Sequence, residues 1–332
     1  MKPFLRIFYL IFIIVLAVLG SSCGKSEPFI VKDDDVSFDA KVITLDVENG
    51  SATLIKTPNE TILIDCGAGG QVGNDTIEKL KAYKTTQIDY FILTHIDENH
   101  IGNTKAILEN FNVKNAFVPD VLGNNLNKFP MFNDKYSAIK QKVGDGNIFT
   151  NVMFRYIKLD GGFLTMLSPQ DKSVMGSSYD KLLSSVNPEY NLHDNTSPII
   201  YFSYKGVRFI FANDAGVSEE KFVLTNNTAN LYNFALRNQG TVELDGIDFL
   251  TLSSHGNDSA NSPEFINALR PKNALISLSA DNKNCPKSSV LESLLSARSD
   301  CKIFSTMLVG DICAYITSNG EYIVKTQKDT QR

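Results

Sequence analysis

From Lys41 onward, short apolar runs alternate with turn-formers. Val42-Ile43-Thr44-Leu45, Ala52-Thr53-Leu54-Ile55 and Thr61-Ile62-Leu63-Ile64 are separated by Glu48-Asn49-Gly50 and Pro58-Asn59. Runs rich in β-branched residues, joined by turns this short, predict an antiparallel meander. After the loop Gly67 to Gly73 the pattern turns helical over Asp75 to Tyr83. It then turns continuously apolar over Ile88 to Leu93, a buried strand that ends at Thr94-His95. Helical spacing follows over Ile101 to Leu108, and a strand over Asn115 to Val118. The middle, Asp120 to Leu192, carries helical signals at Lys135 to Lys142 and Tyr179 to Ser185 and a strand at Phe163 to Leu167. Pro198 to Tyr204 and Val207 to Phe211, joined by Lys205-Gly206, read as a hairpin. Strands at Ile247 to Leu252, Ala274 to Leu278 and Ile312 to Thr317 alternate with helices at Pro263 to Leu269 and Ser288 to Ala297. Two strand-rich halves, each flanked by helices, predict an α/β fold in four layers, an αββα sandwich.

The first residues follow a different rule. Lys2 and Arg6 precede an apolar run, Ile7 to Leu19, and then Gly20-Ser21-Ser22-Cys23. A cationic start, a short apolar core and a small-residue exit read as a signal peptide over 1–22. The small residues leading into Cys23 resemble a bacterial lipoprotein signal, with Cys23 as the lipidated residue. The expected location is extracytoplasmic, anchored by lipid to a bacterial membrane on its periplasmic face or at the cell surface. Residues 23–40, with Asp33-Asp34-Asp35, read as a polar tether with little structure, and 41–327 as a single domain.

Without the leader the chain holds 30 Lys and Arg against 37 Asp and Glu. That acidic balance argues against duplex nucleic acid, which demands a basic stripe to displace phosphate counterions. Four cysteines remain: Cys66, Cys285, Cys301 and Cys313. Their spacing is not a disulfide framework; Cys285 with Cys301 forms one conceivable pair, and free thiols are the other reading. The loop Gly67 to Gly73 superficially suggests a dinucleotide turn, but Val72 takes the third glycine place of G-x-G-x-x-G.

The chain has four histidines, His95, His100, His193 and His255. Thr94-His95-Ile96-Asp97-Glu98-Asn99-His100 follows a buried strand and precedes a helix, which places it on a loop at a strand's carboxyl end. Two imidazoles and neighbouring carboxylate or amide oxygens supply the nitrogen and oxygen donors that zinc or a similar divalent ion accepts.

These residues resemble the metallo-β-lactamase fold family, whose signature after a strand is H-x-H-x-D-H. His95 and His100 hold its first and last positions, Asp97 replaces the second histidine and Asn99 replaces the aspartate. The resemblance extends through Leu45 to Ile55, a first hairpin, and Ile62 to Gly67, where Asp65 would brace the metal loop. It continues at His193 to Ser197, a histidine or Asn-Ser element, and at Phe211 to Gly216, whose Asp214 would bridge two metals. Leu250 to Gly256 with Ser262-Pro263-Glu264-Phe265 resembles a further motif, with Ser254 in place of its first histidine. Competence-type channel proteins and phosphorylcholine esterases are the nearest subgroup, and Cys285-Pro286-Lys287 stands where the competence type has His-Pro-His.

The resemblance implies one or two metal ions, zinc with manganese or iron as alternatives. The ligands would be His95, Asp97, His100, His193, Asp214 and His255, with Asp97 and Asp214 placed for catalysis. Asn99, Ser254, Cys285 and Lys287 are substituted positions. An amide oxygen is a poor substitute for carboxylate on a hard cation, so the second metal position is expected to be weak or empty. The implied activity is that of a metallohydrolase acting on a phosphoester or phosphodiester, with a small molecule or an envelope polymer as substrate. The alternative is a non-catalytic member that binds a glycan, an envelope polymer or a protein.

Overall fold

A computed structural model of the chain describes residues 30–33, 35–48, 50–119, 129–169, 196–237 and 239–331. Cys23, His193 and the helix expected at Tyr179 to Ser185 lie outside the described residues.

The meander forms as read. β1 (Ala40–Thr44), β2 (Thr53–Lys56) and β3 (Thr61–Ile64) pair antiparallel. Helix α1 (Gln71–Ala82) then leads to β4 (Gln87–Ile92), which lies parallel to β3. The helix expected from Ile101 to Leu108 is broken into α2 (Glu98–Ile101) and α3 (Thr104–Asn110). The break has a local cause. A Cβ on Gly102 would sit 2.2 Å from the Gly69 nitrogen, and the Asn103 side chain donates to the carbonyls of Cys66 and Ala68 at 2.8 and 2.7 Å. The loop after β3 therefore presses on this turn and interrupts it. β5 (Asn112–Val118), α4 (Pro130–Val143) and β6 (Ile148–Thr150) complete the first half.

The second half runs β7 (Tyr156–Leu159), β8 (Gly162–Met166), β9 (Ile200–Tyr204) and β10 (Val207–Phe211), then α5 (Val217–Thr228) and α6 (Leu231–Leu236). It continues through β11 (Phe249–Thr251), α7 (Pro263–Leu269), β12 (Asn273–Ile276), α8 (Ser288–Ala297), β13 (Lys302–Ser305) and α9 (Thr306–Val309). The last strands, β14 (Ile312–Ile316) and β15 (Tyr322–Thr326), return to the first sheet. Helix α7 begins where the sequence places it: Pro263 sits in its first turn and the Ser262 hydroxyl accepts from the Phe265 N–H.

One sheet has eight strands in the order β15-β14-β1-β2-β3-β4-β5-β6, the other seven in the order β13-β12-β11-β10-β9-β8-β7. Alternation along the strands feeds three cores. Val42, Ile55, Ile62 and Ile92 face Phe202, Phe209, Phe211 and Phe249 between the sheets. Ile43, Leu54, Leu63 and Phe91 point the other way, to Leu80, Ile107 and Ile139 of the first helical layer. Tyr201, Ile210 and Leu250 meet Val223, Phe265, Ile266 and Leu294 of the second. Strands buried on both faces explain the near-continuous apolar runs. The four-layer αββα reading holds.

Two expectations change. The four cysteines of the described residues are free thiols, so Cys285 and Cys301 do not pair. The tether is also not featureless throughout. Val31 is buried, its N–H donates to the Tyr83 hydroxyl at 3.0 Å, and Phe38 packs on Tyr315. Asp33 pairs with Lys41, and Asp35 with Lys325. The acidic run reads as solvated tether in sequence, but its carboxylates meet lysines of β1 and β15, and its apolar residues fill the outer face beside them.

Candidate metal centre

The candidate residues converge at the carboxyl ends of the strands. β4 carries the chain into Thr94 and His95, and the single turn of α2 begins at Asp97, whose carbonyl accepts the N–H groups of His100 and Ile101. That turn brings Asp97 and His100 together with His95, whose ring lies edge-on to His100 at 5.3 Å between centroids. Across the sandwich, β10 ends at Asn213 and Asp214, and β11 ends at the turn that bears Ser254 and His255. Asn213, Ser254 and His255 all adopt left-handed backbone conformations, as does Asp65 after β3. Non-glycine residues hold such angles only where surrounding contacts impose them.

Ser254 N–H donates to the Asn213 carbonyl at 2.9 Å and ties the two loops together. Asn261 accepts from the Ser253 N–H and donates to the Ser253 carbonyl, both at 2.9 Å. Glu220 of α5 in turn accepts from the backbone N–H groups of Asn261 and Ser262 at 2.5 and 2.9 Å. On the other side, buried Asp65 accepts the Thr94 N–H and hydroxyl at 2.7 and 2.6 Å, and its Oδ2 lies 2.7 Å from His100 Nδ1. Asp65 therefore holds the Thr94–His100 loop from behind.

Both outer histidines have one ring nitrogen engaged. Nδ1 of His100 faces Asp65, and Nδ1 of His255 lies 2.6 Å from the Ser277 carbonyl. A metal-binding imidazole is oriented in this way, with one nitrogen on a fixed carboxylate or carbonyl and the other turned to the ion. His100 Nε2 stands 3.3 Å from Asp214 Oδ2, and His95 Nε2 3.4 Å from Asp97 Oδ2. Burial alone would lower the His100 pKa, but the carboxylates of Asp214 and Asp65 outweigh it and hold the imidazole well above its usual range. Burial alone would raise Asp214, and the imidazoles of His100, His95 and His255 outweigh that, holding it well below the usual carboxylate range.

Two donors bound at ~2.1 Å to a tetrahedral ion stand ~3.4 Å apart, so both nitrogen–oxygen pairs have the spacing of a coordination edge. The donor types and the anchoring of His100 and His255 fit a divalent ion. Among the described residues, no group of three or more His, Cys, Asp or Glu side chains is gathered closely enough to enclose one. Asn99 and Ser254 are half-buried on the two loops. Cys285 and Lys287 approach the His255 turn through the backbone: Lys287 N–H donates to the Gly256 carbonyl at 3.0 Å, and a Cβ on Gly256 would meet Pro286 at 2.8 Å. Sequence reasoning missed Ser277 and Glu220. Ser277 acts through its carbonyl, which any residue supplies, and Glu220 lies on a helix without an apolar stripe.

Residues 45–279 match the model of the metallo-beta-lactamase superfamily. ComE operon protein 3 of Bacillus subtilis (strain 168) is 23% identical over 297 residues, which cover 84% of this chain and 34% of that protein. The chain thus spans about a third of the length of the curated relative it matches. Among solved structures, a diphosphatase from the PhnP family has 12% identity and a TM-score of 0.45, covering 80% of this chain and 94% of its own. Tm1679, a metal-dependent hydrolase of the beta-lactamase superfamily, has 9% identity and a TM-score of 0.44, covering 86% and 99%. With the superfamily model spanning most of the fold, the chain belongs to the metallo-β-lactamase superfamily.

Proposed function

We propose that this chain is an extracytoplasmic metal-dependent hydrolase, anchored by lipid at Cys23, that acts on a phosphoester or phosphodiester at the Asp214 centre. One observation carries the reading: His100 and His255 each have Nδ1 held by a fixed acceptor, Asp65 and the Ser277 carbonyl, beside a carboxylate they share electrostatically. His95, Asp97, His100, Asp214 and His255 would hold one divalent ion, zinc, manganese or iron, with His193 as a further donor. When bound, such an ion supplies hydroxide at neutral pH and polarises the oxygen under attack. The protein's own part is orientation: Asp65 fixes the His100 ring, Ser277 fixes His255, and the Asn213–Ser254 bond keeps the two loops in register. Asn99 and Ser254 lower the donor count, which favours one ion over two.

The test is hydrolysis of bis-p-nitrophenyl phosphate by the full chain loaded with zinc or manganese, compared with Asp214→Asn. Loss of at least ~100-fold in rate in the variant is expected, the scale of removing a group that acts on developing charge. Equal rates in the two proteins would overturn the reading. A second reading, a non-catalytic surface protein that binds a glycan, an envelope polymer or a protein, rests on the substituted donor positions Asn99, Ser254, Cys285 and Lys287. It predicts no metal-dependent turnover by either protein.

A further inference from the structure

One edge of the sandwich is apolar. β13 and β15 are the outer strands of their sheets on this edge, and α9 joins β13 to β14 across it. Met307 and Leu308 of α9 are 42 and 62% exposed on it, and Ile303 and Ile323, 36 and 44% exposed, flank it on the opposite outer faces of the two sheets. Single exposed apolar residues need no explanation, but an adjacent pair on the connection between two sheets marks an interaction surface. Lys302 and Lys328 are exposed beside it, interspersed with exposed Asp300, Glu321 and Asp329. The segment that leads to the amino terminus is fastened here as well. Asp35 pairs with Lys325 of β15, two residues from Ile323 on the same face of that strand, and the Tyr315 hydroxyl of β14 donates to the Lys32 carbonyl at 3.4 Å.

From these placements we infer that this edge rests on the lipid surface that carries the anchor, an inference that depends on the lipid-anchored reading above. Six residues separate Cys23 from Ile30, and seven extended steps of at most ~3.5 Å keep Ile30 within about 25 Å of a lipid on Cys23. Met307 and Leu308 then enter the interfacial layer, with Lys302 and Lys328 placed to meet headgroups, as amphipathic surface elements do. The arrangement also orients the candidate centre. The Thr306 hydroxyl at the start of α9 accepts from the Leu278 N–H at 2.9 Å, and Leu278 follows Ser277, the partner of His255. The rim of the centre on the His255 side therefore lies toward the headgroups.

The chain has no tryptophan, so one introduced residue reports its own surroundings. The full chain, expressed with its leader and reconstituted into vesicles of brominated phosphatidylcholine, is compared as Leu308→Trp and as Phe234→Trp. Phe234 is 72% exposed on α6, which packs over β8 and β9 at the other side of the second sheet. Leu308→Trp is expected to lose most of its emission and to shift to the blue, with Phe234→Trp unaffected. A protein that sediments with membranes but leaves Leu308→Trp unquenched overturns the apposition alone. Blue-shifted emission without quenching, with sedimentation as a dimer in detergent, overturns it in favour of a second copy on the edge. A chain absent from the membrane fraction, with no difference from Cys23→Ser, overturns the anchor and the apposition together.

Discussion

Asp65 and Asn99 show how much of the centre rests on single side chains. Asp65 is a buried carboxylate that accepts from Thr94 twice and from His100. Asp65→Ala leaves those groups without their partner in the interior and should cost about 3 kcal/mol or more, read as a lower denaturation midpoint. It should also weaken zinc binding by about 10–100-fold, because it orients a ligand instead of binding the ion. Asn99→Asp acts in the opposite direction: restoring a carboxylate should raise metal affinity about tenfold or more in a calorimetric titration. No gain would place residue 99 outside the coordination sphere. Glu219 offers a pH-dependent test away from the centre. Burial raises its pKa from 4.5 to about 8, against a smaller opposing effect of a bond to Ser168. The fold therefore prefers the protonated acid, and the stability this contributes is complete below pH 4.5 and lost as pH rises to about 8. The stability of wild type relative to Glu219→Gln should fall across that window with a slope approaching ~1.4 kcal/mol per pH unit, and be flat outside it.

At the scale of elements, the strands that carry the site were the legible ones. β1 to β4 and β9 to β12 hold apolar residues on two buried faces, so their runs stand out from any sequence window. α7 and α8 were legible to the residue, since Ser262-Pro263 marks one start and apolar spacing outlines the other. α5 was not, because its inward face is Glu219, Glu220, Val223 and Asn226, which mimics an exposed face in composition. β13 and β15 were missed because edge strands bury one side at most and do not keep a clean apolar alternation. The acidic segment before β1 misled in the same way, since its ion pairs with β1 and β15 are not written in its own composition. Its docking has a consequence. Tyr83 accepts the Val31 N–H and donates to buried Asp311 at 2.8 Å, and Lys79 reaches the same carboxylate at 2.7 Å. Tyr83→Phe should cost about 2 kcal/mol and speed exchange of the Val31 amide, as a buried donor loses its acceptor. Unchanged exchange at Val31 would show that the segment is held elsewhere.

For the whole molecule, the two sheets serve chiefly to bring two strand-end loops face to face. The first sheet supplies His95, Asp97 and His100, the second supplies Asp214 and His255, and Glu220 and Asp65 hold the loops from behind. The four scarce histidines made the first loop and the His255 turn visible in sequence, because their spacing after apolar strands is specific. The capacity of the centre was not visible: whether Asn99 and Ser254 leave enough donors is a matter of how side chains meet across the sandwich. The most direct measurement is the metal content of the purified full chain by elemental analysis after equilibration with zinc, manganese or iron, alongside Asp214→Ala. The account predicts about one equivalent bound to the wild type and its loss in the variant. A wild type that retains no metal, or an Asp214→Ala chain that retains as much, would contradict it.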